Sequence, residues 1–391
     1  MSLNARTFMA TTANSLDTGR EVARRVLLDG NGAPPLVLTY ATMNHDQALY
    51  LRGIREVIGK DAAILGCSTQ GVTANGNVRE DGFAAGAMAL GGDDVHFSHA
   101  LVEDVAQGPH EKGAQLGHLL SSGLPEAPKL VVVHYDALCG LDPEPFLEGL
   151  FAEVRCPIVG GAAAHSFNYQ VLQQTYQYHG ERVLTRAACA LAMSGSFAFE
   201  IGCCHGCSPV GVELTVTRAV GNVLYELDGR SAIDVWTDIC GDLSNENLSA
   251  ALAIGVPVNG VEGRDFFVRA AYTLDVDTGA ATLGPAISEG TKIMLHHRTV
   301  EDVLLGAQSM GRDLQNRLGD RPARAALAFE CGARTGPFLG GEATLTENLD
   351  LQRTLGNGVP WLGMMPWGEL CPVAGKPSFH NYSFVLLVLA D

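Results

Sequence analysis

Two stretches of the chain match each other at an offset of 94 residues with no gap. Residues 34–71 read PPLVLTYATMNHDQALYLRGIREVIGKDAAILGCSTQG, and residues 127–165 read APKLVVVHYDALCGLDPEPFLEGLFAEVRCPIVGGAAAH. Leu36-Val37-Leu38 and Leu130-Val131-Val132 open the two copies, and Gly66 and Gly160 end them 30 residues later. Between these marks lies a helical pattern. Leu49, Ile54, Val57 and Ile58 share one face over 46–58, as do Phe146, Leu147, Leu150 and Phe151 over 142–154. Asp142 is placed as the second helix's N-cap, with Pro143 at its first position. Each copy therefore reads as strand, helix, strand and tight turn, and a β-α-β unit commits a chain to parallel strands covered by helices.

Residues 82–104 and 186–206 extend the copies, each read as a small-residue strand, a glycine turn and a returning strand. The second copy holds an extra β-segment at 169–180. The repeats so defined, 34–104 and 127–206, predict one N-terminal domain over 5–220. Its tight turns, 66–71 and 160–165, would face a shared cleft at the carboxyl ends of the strands. Residues 221–391 read differently, as a strand meander over 266–298, a helix over 300–318 capped by Thr299, a buried strand near 323–334, a helix over 345–357 and two closing strands. The expected fold is α/β (α+β), with two domains of mixed β-sheets and packed helices.

A net charge of −17 with no basic run argues against nucleic acid and anionic membrane surfaces as partners. No window is apolar enough to span a bilayer, and no signal peptide is readable. The ten cysteines make no disulfide framework, which fits a reducing cytoplasm.

Several clusters could carry chemistry. Gly66-Cys67-Ser68-Thr69 ends an apolar strand with a thiol and two hydroxyls. It lacks the last glycine of a nucleophile elbow, since Gln70 stands there, and the second copy has Gly161 and Ala162 where Cys67 and Ser68 would be. A catalytic Cys67, a ligand cradle including Gly160 and Gly161, and a plain structural turn all stay open. GCCHGCSP carries Cys203, Cys204, His205 and Cys207 on one arm, unlike a two-armed zinc site, and reads as core cysteines. His296 and His297 would face opposite ways on a strand. Asp275-x-Asp277-x-Gly279 reads as a hairpin turn. FECGARTG places Cys331 and Arg334 at a strand exit, WGEL adds Glu369, and FHNYSF adds His380 and Asn381. Arg334 and Glu369 could hold the carboxylate and ammonium of a zwitterion, or simply pair with each other across strands.

Taken in order, Gly66-Cys67-Ser68-Thr69, PIVGGAA (157–163), QTYQYHGERVLTRAACALAM, ECGAR, WGEL and FHNYSF resemble the FIST family. The resemblance covers nearly the whole chain, with an N-terminal domain over about 30–220 and a FIST C domain following it. It implies a sensory module without catalysis, binding a small ligand such as an amino acid and acting through a separate partner, for example a histidine kinase. Stand-alone members of this length also resemble haem-binding nitric-oxide sensors, and for haem the axial candidates are His380 and His165. A third class is a cysteine-dependent enzyme using Cys67 or Cys331.

Overall fold

The computed structural model describes residues 3–27, 34–166, 174–241, 252–258 and 266–391. Of the predicted β-segment at 169–180, residues 169–173 lie outside the described residues and 177–179 form a strand. The fold is α/β with mixed sheets.

One arrangement occurs three times, not twice. The first unit runs β1 (Asn4–Ala10), α1 (Ser15–Val26), β2 (Leu36–Thr42), α2 (Gln47–Ile58), β3 (Ala63–Thr69), a hairpin of β4 (Val72–Ala74) and β5 (Asn77–Arg79), and β6 (Ala85–Gly91). The second runs β7 (Val95–Glu103), α3 (Pro109–Ser122), β8 (Leu130–Asp136), α4 (Pro143–Val154), β9 (Ile158–Ala163), a hairpin of β10 (Gln177–His179) and β11 (Arg182–Leu184), and β12 (Ala187–Gly195). The third starts at β13 (Ala198–Cys204) and is interrupted by β14 (Cys207–Val220), β15 (Val223–Leu227), β16 (Arg230–Ser231), α5 (Ala232–Cys240), β17 (Leu252–Pro257), β18 (Phe266–Arg269), β19 (Ala271–Asp275), β20 (Ala280–Leu283) and β21 (Lys292–Arg298). It resumes with α6 (Val300–Leu318), β22 (Ala323–Glu330), a π-helix (Thr335–Leu339), α7 (Gly341–Leu355), β23 (Trp361–Met364), a hairpin of β24 (Glu369–Val373) and β25 (Lys376–His380), and β26 (Phe384–Ala390).

The strand orders make the equivalence explicit. The first sheet is β1-β6-β2-β3-β10-β11, the second β7-β12-β8-β9-β24-β25, and the third β13-β26-β22-β23-β4-β5. In each, the middle pair is parallel (β2/β3, β8/β9, β22/β23) and the other pairings are antiparallel. No unit keeps its own hairpin. The first unit's hairpin joins the third sheet, the second's joins the first, and the third's joins the second. The hairpins expected at 82–104 and 186–206 are therefore not hairpins. β6 and β7 lie in different sheets, as do β12 and β13, because the glycine turn there carries the chain from one unit into the next. A division near residue 220 crosses this ring, since β4, β5 and β13 share a sheet with β22, β23 and β26.

The three sheets enclose one apolar core. Leu38, Val132 and Leu327 hold equivalent places in it, as do Leu65, Val159 and Leu362. One step further along, Tyr40, His134 and Phe329 meet. The Tyr40 and His134 rings lie edge to face at 5.3 Å, and His134 and Phe329 at 6.1 Å. Outside, each sheet is covered by its helix pair, α1/α2, α3/α4 or α6/α7. The first two pairs cross on glycines. A Cβ on Gly19 would lie 2.1 Å from the Tyr50 carbonyl oxygen, and one on Gly113 would lie 2.0 Å from that of Phe146. The helices start as the sequence predicts. Asp46, Asp142 and Thr299 accept the N–H groups of Leu49, Glu144 and Asp302.

β14 to β21 build a fourth sheet with its own core around Trp236 and Leu295, on which the edge of the second sheet rests. No described helix is long and apolar enough to cross a membrane. The described cysteines are all free thiols.

Candidate functional site

The ends of β3, β9 and β23 close on one another. Ser68 donates its hydroxyl to the Ala164 carbonyl at 2.8 Å and accepts the Tyr176 N–H at 3.0 Å. Thr69 donates to the Gly71 carbonyl and accepts the Met365 N–H at 2.9 Å. The Ala162 N–H reaches the Gly368 carbonyl at 2.9 Å. Gln70 donates to the Gly332 carbonyl and accepts the Trp367 indole N–H at 3.0 Å. The small residues of 66–69 and 160–163 thus let three strand ends approach. A Cβ on Gly66 would sit 1.7 Å from the Thr39 carbonyl oxygen, and one on Gly160 would sit 2.0 Å from that of Val133. Cys67 is fully buried, with its sulfur 3.7 Å from that of Met364. Burial pushes its thiol well above the ordinary range. His165 packs edge-on against Trp367 at 4.3 Å, and its Nδ1 lies 2.6 Å from the Ser166 carbonyl oxygen.

Beside this closure the third unit's hairpin gathers four of the predicted residues. β24 pairs with β9 so that Glu369 stands opposite Gly161, and with β25 so that it stands opposite His380. Glu369 is fully buried. Its Oε2 accepts the Ser383 N–H at 3.1 Å and the Ser383 hydroxyl at 2.9 Å, while its Oε1 has no hydrogen-bond partner. Burial pushes the carboxyl up to about 8, against the opposing pull of Ser383. Cys331 adjoins it, its N–H bonded to the Ser383 carbonyl at 2.9 Å and its thiol pushed well up by burial. His380 directs Nε2 at the Cys371 carbonyl at 3.3 Å, and burial, reinforced by Arg269, holds it down to about 3. Asn381 accepts the Ala270 N–H at 2.9 Å and donates to the Tyr272 hydroxyl at 3.2 Å, tying the hairpin to the fourth sheet.

Arg334 forms its ion pair with Glu347 and not with Glu369. Arg334 is wholly buried, and its Nη2 bonds Glu347 of α7 at 2.6 Å and the Val303 carbonyl at 3.3 Å. Asn348 donates to Glu330 at 2.8 Å in the same cluster. Burial works against the guanidinium's charge, but the Glu347 carboxylate outweighs it and keeps Arg334 a cation. Burial, and then the nearby Glu347, push Glu330 well up toward its neutral form.

The remaining candidates fall apart in space. Cys203 and Cys204 alternate along β13, and Cys204 packs against the α6/α7 layer. His296 is buried against the Phe266 ring, and His297 is exposed on the other face of β21. Asp275 accepts the N–H groups of Asp277 and Thr278 and closes the turn between β19 and β20. No group of three or more metal-binding side chains stands together among the described residues.

Reading the sequence missed Ser383, Gln70 and Trp367. Ser383 lies inside the FHNYSF motif, two residues after Asn381. Its hydroxyl signals nothing until β26 is known to start beside β24.

The Glu369 carboxyl makes a prediction for stability. Its folded value, about 8, lies above its ordinary 4.5. The folded state therefore holds a proton between those limits that the unfolded chain has released. Its contribution to stability is fully present below about pH 4.5 and is lost as pH rises through about 8. Glu369→Gln should flatten the stability–pH profile in that window, by up to about 1.4 kcal/mol per pH unit. Urea titrations of both proteins from pH 5 to 8.5 measure the difference, and parallel profiles would refute it.

Comparison with known proteins gives a consistent result. A FIST N domain model matches residues 35–230, and a FIST C domain model matches residues 232–372. An uncharacterized protein of Mycobacterium tuberculosis is 24% identical over 381 residues, covering 92% of both chains. An uncharacterized protein of Methanocaldococcus jannaschii is 25% identical over 240 residues, covering 59% of this chain and 45% of its own. Among solved structures, a cyanuric acid hydrolase from A. caulinodans aligns over 99% of both chains with a TM-score of 0.39 and 8% identity.

Proposed function

The chain belongs to the FIST family, which is associated with signal transduction and sensing, and from that premise we propose that it binds a small amine-bearing metabolite, an amino acid foremost, at the corner around Glu369. It passes the signal in the cytoplasm to a separate partner such as a histidine kinase. The observation that carries this reading is the buried Glu369 carboxyl, whose Oε2 is bonded by Ser383 and whose Oε1 meets no hydrogen-bond partner, with Cys331 and Gly368 beside it. Once Glu369 sheds its proton, a buried carboxylate oxygen without a donor is costly, and an ammonium group satisfies it with charge as well as hydrogen bonds. Asn381, Ser383 and the Gly160-Gly161 backbone border the same corner. The Nη2 of Arg334 is held by Glu347.

Binding rather than catalysis is supported by the state of the thiols. Cys67 and Cys331 are buried and pushed toward the protonated form, whereas a nucleophilic cysteine needs its thiolate. His380, with Nε2 on the Cys371 carbonyl, is poorly disposed to hold haem iron.

A thermal-shift panel of amino acids, small carboxylates and haemin tests the proposal, followed by calorimetry on whatever binds. Glu369 must shed its proton to pair with an ammonium. Affinity for an amino acid is therefore expected to rise with pH up to about 8, nearly tenfold per unit below that value, and Glu369→Gln should abolish it. Affinity that is flat with pH and survives Glu369→Gln removes Glu369 from the site. A response to haemin alone, with a Soret band lost in His165→Ala, transfers the protein to the gas sensors.

A further inference from the structure

We infer that His99 and His179 form a two-imidazole site for a late first-row divalent ion such as Zn²⁺, Cu²⁺ or Ni²⁺, placed at the seam between the first and second sheets. His99 lies on β7, the edge strand of the second sheet, and His179 ends β10 in the first sheet. Their side chains meet across the boundary. Nδ1 of His99 is 2.9 Å from Nε2 of His179, with ring centroids 4.9 Å apart and ring planes at 52°.

That separation is the bite of a cis chelate. Two imidazole nitrogens bound to one ion at about 2.0–2.1 Å, at a right angle, stand about 2.9 Å apart. The nitrogens now face each other in a hydrogen bond. To share one ion, a ring must turn about its Cβ–Cγ bond so that both lone pairs meet, and His99 is exposed to solvent. Neutral imidazole is the form that coordinates such an ion.

The neighbours set the coordination number and the choice of ion. Arg182, whose charge acts on His179, is paired with Glu103 across the same seam. No third histidine, cysteine or carboxylate completes a cluster among the described residues. The protein therefore supplies two ligands and leaves the other positions to water or an incoming group. Two imidazoles favour Zn²⁺, Cu²⁺ and Ni²⁺ over Mg²⁺ and Ca²⁺, which demand oxygen. A bound ion would tie the second unit's donated hairpin back to its own edge strand, adding a link between two sheets across which the chain already runs from β11 into β12.

The test uses the full chain, freed of metal by chelation. Zn²⁺ and Cu²⁺ are titrated by calorimetry, with Mg²⁺ as control, and Cu²⁺ is also read by electron paramagnetic resonance. One saturable site is expected, with two nitrogen donors in the Cu²⁺ spectrum. Either His99→Asn or His179→Asn should weaken it at least tenfold. His96→Asn, an exposed histidine on the same strand, should leave it unchanged. His99 is exposed, so its substitution is expected to leave the metal-free melting temperature alone, which separates lost ligation from lost folding. Absence of saturable binding overturns the inference, as does a site whose affinity survives both substitutions.

Discussion

Arg334→Met is expected to destabilise the protein by about 3–5 kcal/mol, the largest effect anticipated for any charged residue here. The guanidinium is 0% exposed and is the only cation bonded to Glu347 among the described residues. Methionine fills the volume but leaves the carboxyls of Glu347 and Glu330 facing each other without a counter-charge. The cost comes from an orphaned charge, so removing that charge should return most of it. Arg334→Met combined with Glu347→Leu is therefore expected to lie closer to wild type than Arg334→Met alone. The penalty should also shrink as pH falls, because protonating Glu347 is an alternative to pairing it. Urea unfolding of the three proteins at pH 5.5 and 8 reads both effects. If the double variant is as unstable as the single, Arg334 acts through packing on Phe384, whose ring lies 5.7 Å from the guanidinium carbon, and not through charge.

Gly66→Ala should cost roughly 2–6 kcal/mol, combining overpacking of about 1–3 kcal/mol with a strained φ of about 1–3 kcal/mol. Gly66 has φ +152° and its Cβ position is 1.7 Å from the Thr39 carbonyl oxygen, inside the parallel pair that seats Cys67 and Ser68. Gly160→Ala, with φ +144° and 2.0 Å to the Val133 carbonyl oxygen, should behave alike. Gly59 is the control. Its φ is +79° but no atom lies within 4 Å of its Cβ position, so alanine there meets only the backbone term. Thermal melts of the three variants should place Gly59→Ala well above the other two. Equal losses at all three would mean that backbone conformation, and not the close approach of β2 and β3, demands the glycine.

The same glycines mark what the sequence discloses. The repeat at 34–71 and 127–165 is visible because both copies keep helix, strand and turn in one register, and the structure returns β2-α2-β3 and β8-α4-β9 there. The third copy is hidden by two insertions. The fourth sheet separates β13 from α6, and the π-helix with Gly340 lengthens the link from β22 to α7. Its core-facing residues also differ from the other copies in size and polarity. Phe329 replaces Tyr40 and His134, and Met364 replaces Cys67 and Gly161, substitutions that no residue-by-residue match would pair. The candidate site was legible in part. Glu369, His380, Asn381 and Cys331 converge as their motifs suggested. Arg334 does not, because its partner is Glu347, a buried position of α7 that in the sequence reads like any other helix carboxylate. The seam histidines were invisible for a related reason: 80 residues separate them, and each alone reads as a surface histidine.

The exchanged hairpins have a further consequence. Each unit lacks the last two strands of its own sheet and carries two that it cannot use. The debt passes in one direction, from first to third, third to second and second to first, and is cancelled only when the third is present. A single unit on its own would be a monomer with an open edge and a dangling arm. Three such monomers exchanging arms would make a closed ring, and this chain is that ring with its subunits spliced end to end.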